Sequence, residues 1–128
     1  MEPTYVSTKL RCFSGLIRLY YDDQGDRKSW TLVDVKTCVK RWIEHSQLSL
    51  CVIVSNVESL FYECSGVVVE EPSVRIYGEI ERTNSTVLDN KIKEALLSLF
   101  SFLKVELKQY SVSFHFQGYT ENSSIRIC

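Results

Sequence analysis

Proline is scarce in these 128 residues: there are two, Pro3 and Pro72. Little therefore interrupts the periodic segments, and no proline-rich linker divides the chain. Neither sign of charge dominates, since fifteen Lys and Arg stand against sixteen Asp and Glu for a net charge of −1. That balance excludes the general attraction on which binding to nucleic acid or anionic membrane rests. No apolar run approaches the ~18 residues of a membrane span. The start, with Glu2, Pro3 and Thr4, lacks the basic and apolar regions of a signal peptide. Cysteine is present but unpatterned: Cys12, Cys38, Cys51, Cys64 and Cys128 are odd in number and show no C-x-x-C spacing. They read as reduced thiols of an intracellular protein. The expectation is a cytoplasmic protein, with export lacking a signal peptide left open, no membrane contact and no cofactor. Histidine and cysteine spacing offers no metal site.

What is present suits one globular domain over residues 1–128, with 45% hydrophobic and 24% charged residues. A chain of this length buries about two-thirds of its unfolded surface and needs no metal or disulfide to hold a core. Leu16 to Tyr21 is rich in branched and aromatic residues and predicts a strand, followed by a polar loop from Asp22 to Ser29 around Gly25. Leu32, Val35, Val39 and Trp42 form the stripe of an amphipathic helix, with Ser29 or Thr31 as N-cap and Asp34 in its first turn. Leu48 to Val54 predicts a buried strand. Leu60 to Glu63 predicts a short strand, and Val67 to Val69 an edge strand or extended loop beside Pro72. From Val74 to Glu81 the chain alternates: Val74, Ile76, Gly78 and Ile80 on one face, Arg75, Tyr77, Glu79 and Glu81 on the other. A second helix is expected from Thr86 to Leu103, with Thr86 and Asp89 close to a capping box. Tyr110 to Phe116 alternates again, and Ile125 to Ile127 predicts a small strand.

Both helices open alike, Thr31-Leu-Val-Asp34 and Thr86-Val-Leu-Asp89, and a short connection and a strand follow each. This predicts an internal repeat over about residues 14–54 and 74–116. The expected fold is α+β: a duplicated β-α-β with a mixed four-stranded sheet, two helices on one face and short extra edge strands. The other sheet face would be uncovered, which predicts oligomerisation.

Two β-α-β units in this length resemble the macrophage migration inhibitory factor and tautomerase superfamily. The run from Val74 to Phe116 is similar to that family's strand, polar Asn-Ser loop, long helix and closing strand. Ser49 to Gly66 is similar to its second strand and short return strand, and Pro3-Thr4-Tyr5-Val6-Ser7-Thr8 to its first. The family's chemistry rests on an N-terminal proline amine acting as base in keto–enol tautomerisation, helped by a lysine after the first helix. Here Glu2 separates Met1 from Pro3, which keeps Pro3 an acylated imide, and Glu44-His45-Ser46-Gln47-Leu48 has no lysine. The resemblance therefore implies a catalytically silent relative, a homo-oligomer (a ring trimer) acting on an unknown protein partner. Keto–enol tautomerase activity is the alternative if processing exposes Pro3.

Tyr20, Tyr21, Tyr77 and Tyr119 are the candidate binding residues, since exposed tyrosines suit protein contacts. The β-α-β-β-α-β order also fits an RNA-recognition module, but the strand with Tyr77 carries one aromatic among acidic neighbours, and nucleic-acid binding is disfavoured. Cysteine–histidine catalysis by Cys38 or Cys51 with His45 or His115 lacks an orienting third residue.

Overall fold

The computed structural model describes residues 10–46, 48–62 and 65–128. Among the described residues, seven strands and two helices follow in the order β1 (Cys12–Arg18), β2 (Tyr20–Asp23), β3 (Asp26–Ser29), α1 (Leu32–His45), β4 (Leu50–Tyr62), β5 (Val68–Ile80), α2 (Asp89–Glu106), β6 (Val112–Gln117) and β7 (Asn122–Ile127). A single 3-10 turn, Arg82–Asn84, precedes α2.

Helix α1 starts where its cap chemistry places it. The Thr31 hydroxyl accepts the Asp34 N–H at 3.2 Å, and Asp34 returns the bond from the Thr31 N–H at 2.8 Å. Two of the N–H groups orphaned at a helix start are thereby satisfied. Thr86 makes no such cap. Helix α2 begins behind Leu88 with no side-chain cap, because Asp89 is engaged elsewhere.

Five strands form one sheet in the order β4-β5-β1-β6-β7, with every neighbouring pair antiparallel. The expected four-stranded mixed sheet of adjacent β-α-β units is therefore corrected. β1 and β4, the strands that α1 connects, are separated by β5. Each crossover skips a strand, as in the split β-α-β arrangement of ferredoxin-like folds. Hydrophobic periodicity marks which segments are strands but carries no information about which strands are neighbours. The segment around Pro72, read as short pieces, lies in one long antiparallel ribbon of β4 and β5, paired from Leu50–Ile80 out to Tyr62–Val68. Pro72 is tolerated because the β1 ladder on its other side stops at Ser73. Beyond that point the ribbon continues past β1 as two strands. The polar loop after β1 closes as a separate hairpin of β2 and β3.

Both helices lie on one face of the sheet. Val35, Cys38 and Val39 of α1 and Ile92, Leu96, Leu99, Phe100 and Leu103 of α2 are buried against Phe13, Ile17, Val74, Ile76, Ile80, Val112, Phe114 and Phe116. The Phe100 ring stacks on Phe114 with centroids 4.6 Å apart and meets Phe13 edge-on at 6.4 Å. Gly15 makes room for it, since a Cβ there would enter the Phe100 ring. Among the described residues, no helix is long and apolar enough to cross a membrane.

Candidate functional site

Strand alternation sends every second side chain to the face that the helices leave bare. The register stacks these into rows. Cys51, Glu79, Cys12 and Gln117 form one row; Ile53, Tyr77, Ser14, His115 and Ser124 form the next. A third contains Ser55, Arg75 and Leu16, and Ser113 lies opposite Arg126 at the far edge. Leu16, on the central strand, and Ile53, on the edge strand β4, are 39% and 44% exposed, a large apolar presentation.

Two hollows dent this face. One, of about 470 Å³, is bounded by Cys12, Cys51, Ile53, Tyr77 and Glu79. The other, of about 460 Å³, is bounded by Leu16, Ser113, Ser124, Ile125 and Arg126. Ser14, Arg75 and His115 line both. The Arg75 Nε donates to Ser14 Oγ at 3.1 Å, and its guanidinium covers the Tyr77 ring 4.1 Å from the centroid. His115 Nδ1 is 3.0 Å from Ser124 Oγ, which orients the imidazole across β6 and β7. Glu79 is exposed and forms no ion pair with a described residue. One hollow is thus aromatic with a carboxylate at its end, the other is basic and hydroxyl-rich, and an arginine, a serine and a histidine join them.

The four tyrosines singled out from sequence fall in three places. Tyr77 lies on this face. Tyr20 and Tyr21 share the β2–β3 hairpin, where Arg27 covers the Tyr20 ring at 4.2 Å and Tyr21 stacks on Trp30 at 4.7 Å. They border a different groove with Arg18, Lys108 and Tyr110. Tyr119 lies in the β6–β7 turn under the Arg11 guanidinium, 4.3 Å from the ring centroid. Pro3 lies outside the described residues. Of the cysteine–histidine candidates, Cys38 is buried in the core and His45 Nδ1 lies 2.8 Å from the Arg41 carbonyl. Cys51 and His115 do share a hollow, with β5 and β1 between their strands. No cluster of three metal-ligating side chains occurs among the described residues.

Arg75, Glu79, Ser14 and Arg126 were not singled out as site residues. Alternation in Val74–Glu81 places Arg75, Tyr77 and Glu79 on one face. Their meeting with Ser14 and His115 depends on β1 lying between β5 and β6, a long-range pairing with no local signal.

At the rim below β1, a second polar group is structural. Arg11, 1% exposed, donates to the carbonyls of Val87 (2.7 Å) and Asn84 and faces Asp89 Oδ1 at 3.5 Å. Asp89 also accepts from the Thr120 N–H at 2.8 Å and the Thr120 hydroxyl at 3.1 Å. Burial pushes the Asp89 carboxyl up. The Thr120 and Tyr119 N–H groups, the Thr120 hydroxyl and Arg11 outweigh it and hold the carboxyl below its ordinary value. Gly118 lies against that carboxylate, where a Cβ would collide with it.

No protein-family model matches the sequence, and no curated protein matches it. Solved structures do. A phage SAM lyase in its apo state superposes with a TM-score of 0.70 at 18% identity, covering 91% of this chain and 87% of that one. A phage SAM lyase in complex with S-methyl-5'-thioadenosine gives 0.62 at 19% identity, covering 98% and 95%. The resemblance to the migration inhibitory factor and tautomerase superfamily is corrected on both counts. The sheet is five-stranded and antiparallel rather than four-stranded and mixed, and the two solved structures named above are phage SAM lyases. The silent cytokine-like relative, the tautomerase alternative and the RNA-recognition alternative have no support in these matches. The fold of this chain is that of the phage SAM lyases.

Proposed function

We propose that the bare face of the sheet binds S-adenosylmethionine and that the chain cleaves it, releasing S-methyl-5'-thioadenosine. The observation that carries the reading is the pair of hollows joined by Ser14, Arg75 and His115, on a fold shared with SAM lyases over about nine-tenths of both chains. The ligand has two parts of matching character. Its adenosine suits the hollow of Tyr77 and Ile53, where the ring and the aliphatic wall offer a flat apolar surface, and Glu79 accepts from ribose hydroxyls. Its amino-acid arm suits the basic, hydroxyl-lined hollow beyond.

The sulfonium then lies near the junction. Breaking its bond to the amino-acid carbon needs no oxidant, metal or water. The substrate's own carboxylate attacks the carbon next to sulfur, the C–S bond breaks, and its electron pair passes to sulfur. The products are a neutral thioether and a lactone. Opposite charges are lost as the reaction proceeds, so walls such as Leu16 and Ile53 favour the transition state over the separated charges in water. The protein's task is to hold the arm folded so that carboxylate and carbon meet.

The test is direct. Purified protein incubated with S-adenosylmethionine is chromatographed for S-methyl-5'-thioadenosine. The expected result is time-dependent formation of the thioether, lost in Tyr77→Ala. No product, together with no rise in melting temperature on adding either nucleoside, overturns the reading.

A further inference from the structure

Three arginines meet carboxylates: Arg11 faces Asp89, Arg18 faces Glu71 and Arg41 faces Glu106. Two on the bare face do not. Arg75 bonds Ser14 through Nε, and its terminal nitrogens make no hydrogen bond to a described residue. Arg126 reaches Ser111 Oγ at 3.5 Å, the outer limit of a hydrogen bond. Neither forms an ion pair with a described residue.

They border one hollow from different strands. Arg75 stands on β5 opposite Leu16 of β1, and Arg126 on β7 opposite Ser113 of β6. Three strand spacings separate them, about 14 Å between backbones, and both long side chains border the same 460 Å³ hollow. Between them lie the hydroxyls of Ser14, Ser113 and Ser124 and the His115 ring, and none of the lining residues is acidic. A guanidinium presents a planar fork that matches a carboxylate, and serine hydroxyls supply further donors.

We infer that Arg75 and Arg126, on opposite walls of this hollow, form a carboxylate subsite that holds the amino-acid carboxylate of the ligand. The inference rests on the proposed function and deepens it by assigning the part of the ligand that discriminates S-adenosylmethionine from its product. The product lacks that carboxylate and has no grip on this hollow, so it leaves while substrate is retained.

Isothermal titration with two uncleaved thioethers separates the two claims. S-adenosylhomocysteine carries the amino-acid carboxylate; S-methyl-5'-thioadenosine does not. Wild-type protein is expected to bind the first more tightly. Replacing both arginines (Arg75→Gln with Arg126→Gln) is expected to lower affinity for S-adenosylhomocysteine at least about tenfold further than that for S-methyl-5'-thioadenosine, which loses only the Arg75 cover on Tyr77. Both side chains are exposed, so the variant keeps its fold, and its melting curve verifies this. The paired Lys substitutions, which keep the charge but lose the fork, are expected to fall between. Equal wild-type affinity for the two thioethers overturns the subsite alone, as does a parallel loss of both in the double variant. Wild-type binding of neither overturns the proposed function and the subsite with it.

Discussion

The side-chain amide of Gln109 clasps the backbone of Arg18 from both directions. Gln109 Nε2 donates to the Arg18 carbonyl at 2.9 Å, and the Arg18 N–H donates to Gln109 Oε1 at 3.0 Å. The ladder between β1 and β6 is registered from Cys12–Gln117 to Gly15–Phe114. One amide thus supplies, further along the strand, the two bonds that a neighbouring residue would supply in a sheet. Gln109 is 8% exposed, so losing its amide strands backbone groups away from water. Gln109→Leu is expected to cost about 2–3 kcal/mol in urea unfolding with an unchanged m-value. A cost under about 0.5 kcal/mol would mean that water replaces the clasp.

Asp89 is the carboxylate that faces the buried Arg11 guanidinium. Arg11 Nε has no hydrogen-bond partner among the described residues. Asp89→Ala is expected to destabilise by about 3–5 kcal/mol, because it leaves a buried charge uncompensated. Arg11→Met with Asp89→Leu is expected to cost less than the two single changes summed. A double-mutant cycle in urea decides it, and additivity would show that the pair is not coupled.

The same carboxyl sets an acid limit. Its value is lowered from the ordinary 3.8, burial being outweighed by the Thr120 and Tyr119 donors and Arg11. Glu121, held down by Lys93 and then by Ser123, acts in the same direction. A carboxyl that is more acidic folded than unfolded contributes stability above its unfolded value, and that contribution is lost as pH falls through the folded value. The melting temperature is therefore expected to fall steeply below about pH 4. Asp89→Asn is expected to start lower and to show a shallower acid limb. Parallel limbs in the two proteins would remove Asp89 from the account.

Phe100 fits because Gly15 has no side chain. Gly15→Ala is expected to cost about 1–3 kcal/mol through overpacking, read in thermal or urea unfolding. Adding Phe100→Leu, which shortens the ring that the new methyl meets, is expected to recover part of that loss. No recovery would place the strain elsewhere.

The elements were largely legible in the sequence and their arrangement was not. Thr31 and Asp34 announce the start of α1 because capping is local chemistry within four residues. The alternation of Val74, Ile76 and Ile80 against Arg75, Tyr77 and Glu79 announces β5 and its two faces for the same reason. Thr86 and Asp89 offered the same cap signature but failed, because Asp89 is taken by Thr120 and Arg11 from remote parts of the chain. Pairing of β1 with β5 and β6 leaves no periodic trace, and a similar order of helices and strands suits several sheets. The bare-face site inherits that limit. Tyr77 was visible as an exposed tyrosine, but its relation to Ser14 and His115 exists only across strands drawn from both ends of the chain.

That central position of β1 also sets a schedule. Cys12 pairs with Glu79 on one side and Gln117 on the other. A ribosome delivers residues in order, so β1 leaves it long before either neighbour exists. The middle of the sheet closes only when nearly the whole chain has emerged, as contacts this distant in sequence demand. Ser14, at the junction of the two hollows, therefore meets Tyr77 and Arg75 of β5 first and His115 of β6 last. A nascent chain halted before β6 would carry the helices, the long ribbon and the Tyr77 half of the bare face, without the His115 half.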